Sequence, residues 1–249
     1  MSDFRGGFSR PATATADMAV DSGLRGFMLG VYNKLALGLV VAGVLAYVTG
    51  NVPAVGDLLY QQAADGRIGL TMLGMIVQFS PLVMLFGSMF FMKNPTAGGV
   101  NLLYWAVVAT IGAGMGVLFM IYSHESIATT FFVTAAAFGG LSLFGYTTKK
   151  DMSGFGTFLI MGVIGLVIAM VVNMFLQSGV MALVISGLGV LIFSGLIAFD
   201  TQRLKMTYYQ LGGNEAAMGV ATGFGALSLF INFVNLFQFL LMFMGGSRN

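Results

Sequence analysis

Residues 180–205 read VMALVISGLGVLIFSGLIAFDTQRLK. Val180 through Phe199 carry no charge, a run of about 20 residues that matches the roughly 30 Å of hydrocarbon in a bilayer. The chain then turns abruptly polar, into Asp200, Thr201, Gln202, Arg203 and Lys205 around a single Leu204. Only 8% of all residues are charged, so an acid at the edge of such a run needs a reason. Ionisable groups at or inside membrane segments are costly and mark ion or proton pathways.

The same block structure extends outward through the chain. A hydrophobic fraction of 57%, a mean hydropathy of +0.91, 36 Gly and 23 Phe exclude an ordinary soluble domain of 249 residues. Apolar blocks occupy residues 28–50, 70–92, 101–122, 127–147, 155–176, 180–200 and 222–245, with short polar joints between them carrying nearly all the charge. Stretches such as Phe158 through Val167 are continuously apolar, unlike the period-two alternation of a membrane β-barrel. A helix satisfies its backbone polar groups within its own segment, so the expected fold is an all-α integral membrane protein of about seven transmembrane helices. The longest joints fall at residues 51–69 and 201–221. Residues 1–27, rich in Ser, Thr, Ala and Gly, read as a flexible cytosolic N-terminal tail, residues 28–245 as the transmembrane domain and residues 246–249 as a short C-terminal tail. They lack the apolar core and cleavage site of a secretory signal. With no cysteine there is no disulfide framework, thiolate metal site or catalytic thiol.

Lys and Arg orient the bundle. With the N-terminus in the cytosol, Arg5, Arg10, Arg25, Lys34, Lys93, Lys149, Lys150, Arg203 and Lys205 share that side, and only Arg67 and Arg248 lie opposite, nine against two. The positive-inside rule thus predicts a cytosolic N-terminus and, after seven crossings, an exterior C-terminus.

Two kinds of pattern mark packing. Gly112 and Gly116 form a Gly-x-x-x-Gly step in the third block, and Ala136 with Gly140 repeats it in the fourth; such steps let helix backbones approach closely in lipid. In the last block Ser228, Asn232 and Asn235 fall within about 60° of one another at 100° per residue, with Gln238 on the flank. A helix with a polar stripe turns it away from lipid, so this block is expected at the centre of the bundle. The amides serve equally as interhelical hydrogen-bonding glue.

An enzyme is not expected. The lone His124 sits beside Glu125 in an exterior joint, Asp200 is the one acid near the bundle, and the last block has no lysine for a Schiff base. Calcium wants six to eight oxygen ligands. Asp200 with Asn232, Asn235, carbonyls and water makes at most a weak, transient calcium station, as conduction requires. No other cofactor is expected. Alternatively Asp200 pairs with Arg203 or Lys205 and has no transport role.

Several long motifs carry a family likeness. Residues 21–33, running from Asp21 to Asn33, resemble the entry to the first helix of bacterial Bax inhibitor (YccA-like) proteins. So do Tyr122 through Phe131, Gly145 through Gly156, Ala198 through Gln202, and Leu229 through Phe237. The resemblance implies six helices surrounding a central C-terminal one, in the bacterial inner membrane. It implies a pH-sensitive calcium leak, gated by two acids on the last two helices that share a proton. Some bacterial members are instead associated with restraining a membrane-anchored AAA-type protease, which is the alternative function and partner. The first acid of the pair falls on Asp200. The second falls on residue 232, where this chain has Asn232. An amide supplies no second negative charge, so proton sharing between two carboxylates has no counterpart here. Met242 stands about where the family often has Arg.

Overall fold

The computed structural model describes residues 12–62 and 68–245. Seven helical spans in it are long and apolar enough to cross a bilayer, and the protein is an all-α, multi-pass integral membrane protein. In chain order the elements are α1 (Ala12–Asn51), α2 (Pro53–Leu59), β1 (Tyr60–Gln62), β2 (Ile68–Leu70), α3 (Met72–Phe91), α4 (Ala97–Gly114), α5 (Val117–Ile121), α6 (His124–Thr147), α7 (Ser153–Leu176), α8 (Gly179–Leu211) and α9 (Glu215–Met244). α4 and α5 together make one span, and β1 and β2 pair as an antiparallel hairpin in the joint before α3. Arg5, Arg10, Arg67 and Arg248 of the charge argument lie outside the described residues.

Two boundaries differ from the sequence reading. α1 begins by Ala12, not at residue 28. Leu24, Phe27, Met28, Val31 and Leu35 are all buried, a helical i, i+3, i+4 spacing that places the supposed end of the tail in the core. The joint expected at 201–221 is mostly helix: α8 runs on to Leu211, because charge takes a helix out of lipid without breaking it. It stops at Gly212 and Gly213, whose φ values of +55° and +85° suit a residue without Cβ.

α9 occupies the centre. About 61% of its apolar stretch is buried, the highest share of the seven spans. It packs chiefly against α1, α4, α6 and α8, while α3 leans on α4 and α7 on α8 at the periphery. The Gly112 step works as expected: a Cβ there would come within 2.6 Å of the Ala42 Cα, so α1 and α4 touch backbone to backbone. Gly116 likewise sits against Thr49 and Gly50. The Ala136–Gly140 step does not pack; both residues are exposed on the outer face of α6. The close approach on that helix is made by Gly145, where a Cβ would collide with the Ala198 carbonyl of α8.

Where α4 breaks before α5, freed carbonyls find partners. The Thr49 hydroxyl donates to Ala113 O at 3.0 Å, and the Tyr60 hydroxyl to Ala113 O at 2.9 Å and Gly114 O at 3.1 Å. Such replacement is obligatory at membrane depth, where no bulk water is available.

Candidate functional site

Gly145 brings α6 and α8 together at Ala198, one residue before the end of the apolar run and two before Asp200. The Thr201 hydroxyl beside it donates to Ile197 O at 2.8 Å, with the Ser142 hydroxyl of α6 at 3.4 Å. Asp200 itself is only 4% exposed. Both carboxylate oxygens are engaged. Oδ2 accepts from the Ser228 hydroxyl and from Asn232 Nδ2 at 2.7 Å, both on α9. Oδ1 faces Arg203 Nη2 at 2.9 Å, one turn along α8. The Arg203 side chain is 52% exposed and lies over the Phe199 ring, 5.7 Å from its centroid. It reaches from the rim of the bundle to a buried acid.

Lys205, the other expected partner, turns elsewhere: its Nζ donates to Tyr146 O at 2.7 Å. Gln202 braces the same end, accepting from Met152 N at 2.9 Å and donating to Lys150 O at 2.7 Å. Asp151 in that joint accepts from Ser153 N at 2.9 Å and Ser153 Oγ at 2.6 Å. These bonds hold its carboxyl below the usual carboxylate range.

The α9 stripe continues away from Asp200. Asn235 does not reach the acid; its Nδ2 bonds Ile231 O at 2.8 Å. It lines two crevices that meet on α9. One, about 290 Å³ between α7, α8 and α9, touches Asn232 and Asn235 among apolar walls. The other, about 280 Å³ between α3, α4, α5 and α9, carries Gln78, Thr110, Asn235 and Gln238. Pro81 lines this second crevice. A proline in a helix frees the carbonyl four residues back, and the Ser80 hydroxyl takes up Val77 O at 2.8 Å. Polar groups thus run along α9 from Arg203 and Asp200 through Ser228, Asn232 and Asn235 to Gln238.

Sequence reasoning placed Ser228 in the stripe without making it a direct partner of Asp200, and it passed over Gln78 and Thr110. Gln78 had a readable signal, a lone amide inside the apolar block 70–92. His124 stays apart, its Nε2 3.1 Å from Asn51 Oδ1 at an exposed helix start. Among the described residues no group of three His, Cys, Asp or Glu side chains gathers to hold a metal.

A family model described as "Inhibitor of apoptosis-promoting Bax1" matches residues 24–249. The chain belongs to this family. Similar proteins include an uncharacterized protein of Caulobacter vibrioides, 61% identical over 100% of both chains. Another, from Rickettsia prowazekii, is 38% identical over 95% of this chain and 96% of its own. Inner membrane protein YbhL of Escherichia coli is 36% identical over 91% of this chain and 94% of its own. Within the Bax inhibitor fold, Asn232 meets Asp200 at hydrogen-bond distance, so the departure from a second acid falls directly on the carboxylate. The amide donates where a carboxylate would have to share a proton. Met242, at the other noted departure, is 47% exposed and lines the second crevice.

Proposed function

We propose that this Bax inhibitor family member is a calcium leak of the bacterial inner membrane, in which the ion passes along α9 and pauses at Asp200. The observation that carries this reading is the placement of the polar string: its one carboxylate is buried against the central helix, and its far end opens on a crevice lined by Gln78, Thr110 and Gln238. Polar side chains inside a bundle are costly unless they serve packing or passage.

In the arrangement described, each Asp200 oxygen already has a donor, and Arg203 supplies the positive charge an ion would replace. Calcium takes the carboxylate only when Arg203 swings outward, which its half-exposed position allows. The station is weak by construction, with one acid and neutral oxygens, and weak binding lets the ion leave. Orientation follows the charge distribution, with the N-terminus, Lys93, Lys149 and Arg203 in the cytosol.

Calcium flux into liposomes tests the function. The wild-type protein is expected to pass calcium above the protein-free background, and Asp200→Asn to change that flux while still folding and inserting. Equal flux in both would leave Asp200 as an ion-pair anchor with no transport role. The orientation has its own check, because the chain has no cysteine. Lys149→Cys should resist an impermeant thiol reagent on intact cells and Glu125→Cys should react; the reverse pattern inverts the topology.

A further inference from the structure

At the end of the bundle that carries Lys149 and Arg203, a cavity of about 620 Å³ opens between the α6–α7 joint and the last turns of α8. Lys149, Arg203 and Lys205 line it, with Asp151 as the only carboxylate on its wall. Each cation has capacity to spare. Lys149 is exposed and pairs with no acid among the described residues. Lys205 uses one of its three donors on Tyr146 O. Arg203 gives one nitrogen, Nη2, to Asp200 and to the Ser228 hydroxyl, out of a fork of five N–H donors suited to phosphate. Asp151 is tied back to Ser153 by two hydrogen bonds. The cavity is therefore a basic one, with its single acid already occupied.

Its depth fixes what meets it. α8 is 33 residues long, about 50 Å at 1.5 Å per residue, against roughly 30 Å of hydrocarbon. Its uncharged run ends at Phe199, so the turns carrying Arg203 and Lys205 emerge in the headgroup layer. Phe199 and Met206 also line the cavity. Phe144, one helical turn before the lining residue Thr148, and Phe155, two residues after the lining residue Ser153, are exposed at 56% and 47%. Cations above and aromatic surface below suit a lipid with its phosphate at the rim and its chains in the bilayer. Basic pockets between transmembrane helices bind anionic headgroups in this way.

We propose that this cavity is a binding site for the phosphate of an anionic phospholipid, and that the headgroup competes with Asp200 for Arg203. Occupancy draws the guanidinium outward and leaves Oδ1 of Asp200 without its cation. The consequence for conduction rests on the reading of Asp200 as an ion station; the binding itself does not. Competition for one cation is reciprocal, so removing either anion must strengthen the hold of the other.

The test is lipid retention by the purified full chain in detergent, measured by native mass spectrometry while phosphatidylglycerol or phosphatidylcholine is titrated in. Phosphatidylglycerol should be retained in preference to phosphatidylcholine. The double variant Lys149→Gln/Lys205→Gln should lower phosphatidylglycerol affinity on the order of twentyfold and leave phosphatidylcholine unchanged. Asp200→Asn should raise phosphatidylglycerol affinity several-fold by releasing Arg203, an effect no general loss of structure produces. Equal retention of the two lipids, or no effect of the lysine variant, overturns the site. Displacement of phosphatidylglycerol by millimolar inorganic phosphate reassigns it to a soluble anion and overturns the lipid. Unchanged affinity in Asp200→Asn overturns the competition. Failure of calcium flux with lipid binding intact would count against the proposed function and not against this site.

Discussion

α7 and α9 are both charge-free across the bilayer, yet they occupy opposite environments. α7 is the most apolar of the seven spans, and only 11% of its apolar stretch is buried; α9 is less apolar, and 61% of its stretch is buried. In water the ranking would run the other way. In lipid, an apolar side chain gains nothing by leaving the hydrocarbon, so packing and polar contacts decide which helix goes inside. The stripe of Ser228, Asn232, Asn235 and Gln238 is what sends α9 to the centre. α7, offering Phe158, Ile164 and Ile168 at 66%, 58% and 60% exposure, lies on the lipid side of α8.

The largest expected contrast follows from packing. Leu229 on α9 is 0% exposed, and Leu229→Ala should lower stability by about 2 kcal/mol or more, through the cavity it leaves. Phe158→Ala on α7 removes a larger side chain but should stay within about 0.5 kcal/mol. Thermal unfolding in detergent checks both. Equal losses would mean that Phe158 packs within the bundle instead of facing lipid.

A smaller effect is expected at the rim. Arg203→Gln takes away the one cation paired with Asp200 among the described residues, while Ser228 and Asn232 remain. Arg203 is half in water, so the pair is screened and the expected cost is about 1 kcal/mol. Calcium flux should rise, because the competing cation is gone. A fall in flux with the fold intact would mean that Arg203 helps the ion through instead of holding its place.

Asn232→Asp should change side-chain shape least and pH response most. The substitution keeps shape, and the new carboxylate would lie within hydrogen-bond distance of Asp200, so two like charges would meet in one buried site. Flux in liposomes across a pH series should then show an acid-dependent step that the natural protein, with its amide, shows weakly. Superimposable profiles would mean the two positions do not couple.

The fold was legible in the sequence because each bilayer crossing leaves an apolar run of fixed length, and Asp200 stood out as an acid at the edge of one. The inward face of α9 was legible from four polar residues at helical spacing. Other features needed three dimensions. The Ala136–Gly140 step has the same spacing as Gly112–Gly116 but faces lipid, since small residues permit close approach without demanding it. Lys205 and Arg203 both follow Asp200 closely in sequence, but only Arg203 shares its face of α8, and Lys205 bonds the Tyr146 carbonyl of another helix. The start of α1 was readable from Leu24, Phe27, Met28, Val31 and Leu35, but the Ser, Thr and Gly around them masked that spacing.

The most direct measurement contrasts the two helices by water instead of by burial. In this cysteine-free chain, Asn235→Cys places a thiol on the α9 stripe and Ile168→Cys places one on the lipid face of α7, each assayed with a cationic methanethiosulfonate in calcium-loaded liposomes. The half-buried thiol at 235 should react, calcium should slow the reaction, and modification should reduce calcium flux. The more exposed thiol at 168 should stay unreactive, because hydrocarbon covers it. An unreactive thiol at 235, or a modified one that leaves flux unchanged, would contradict an ion route along α9.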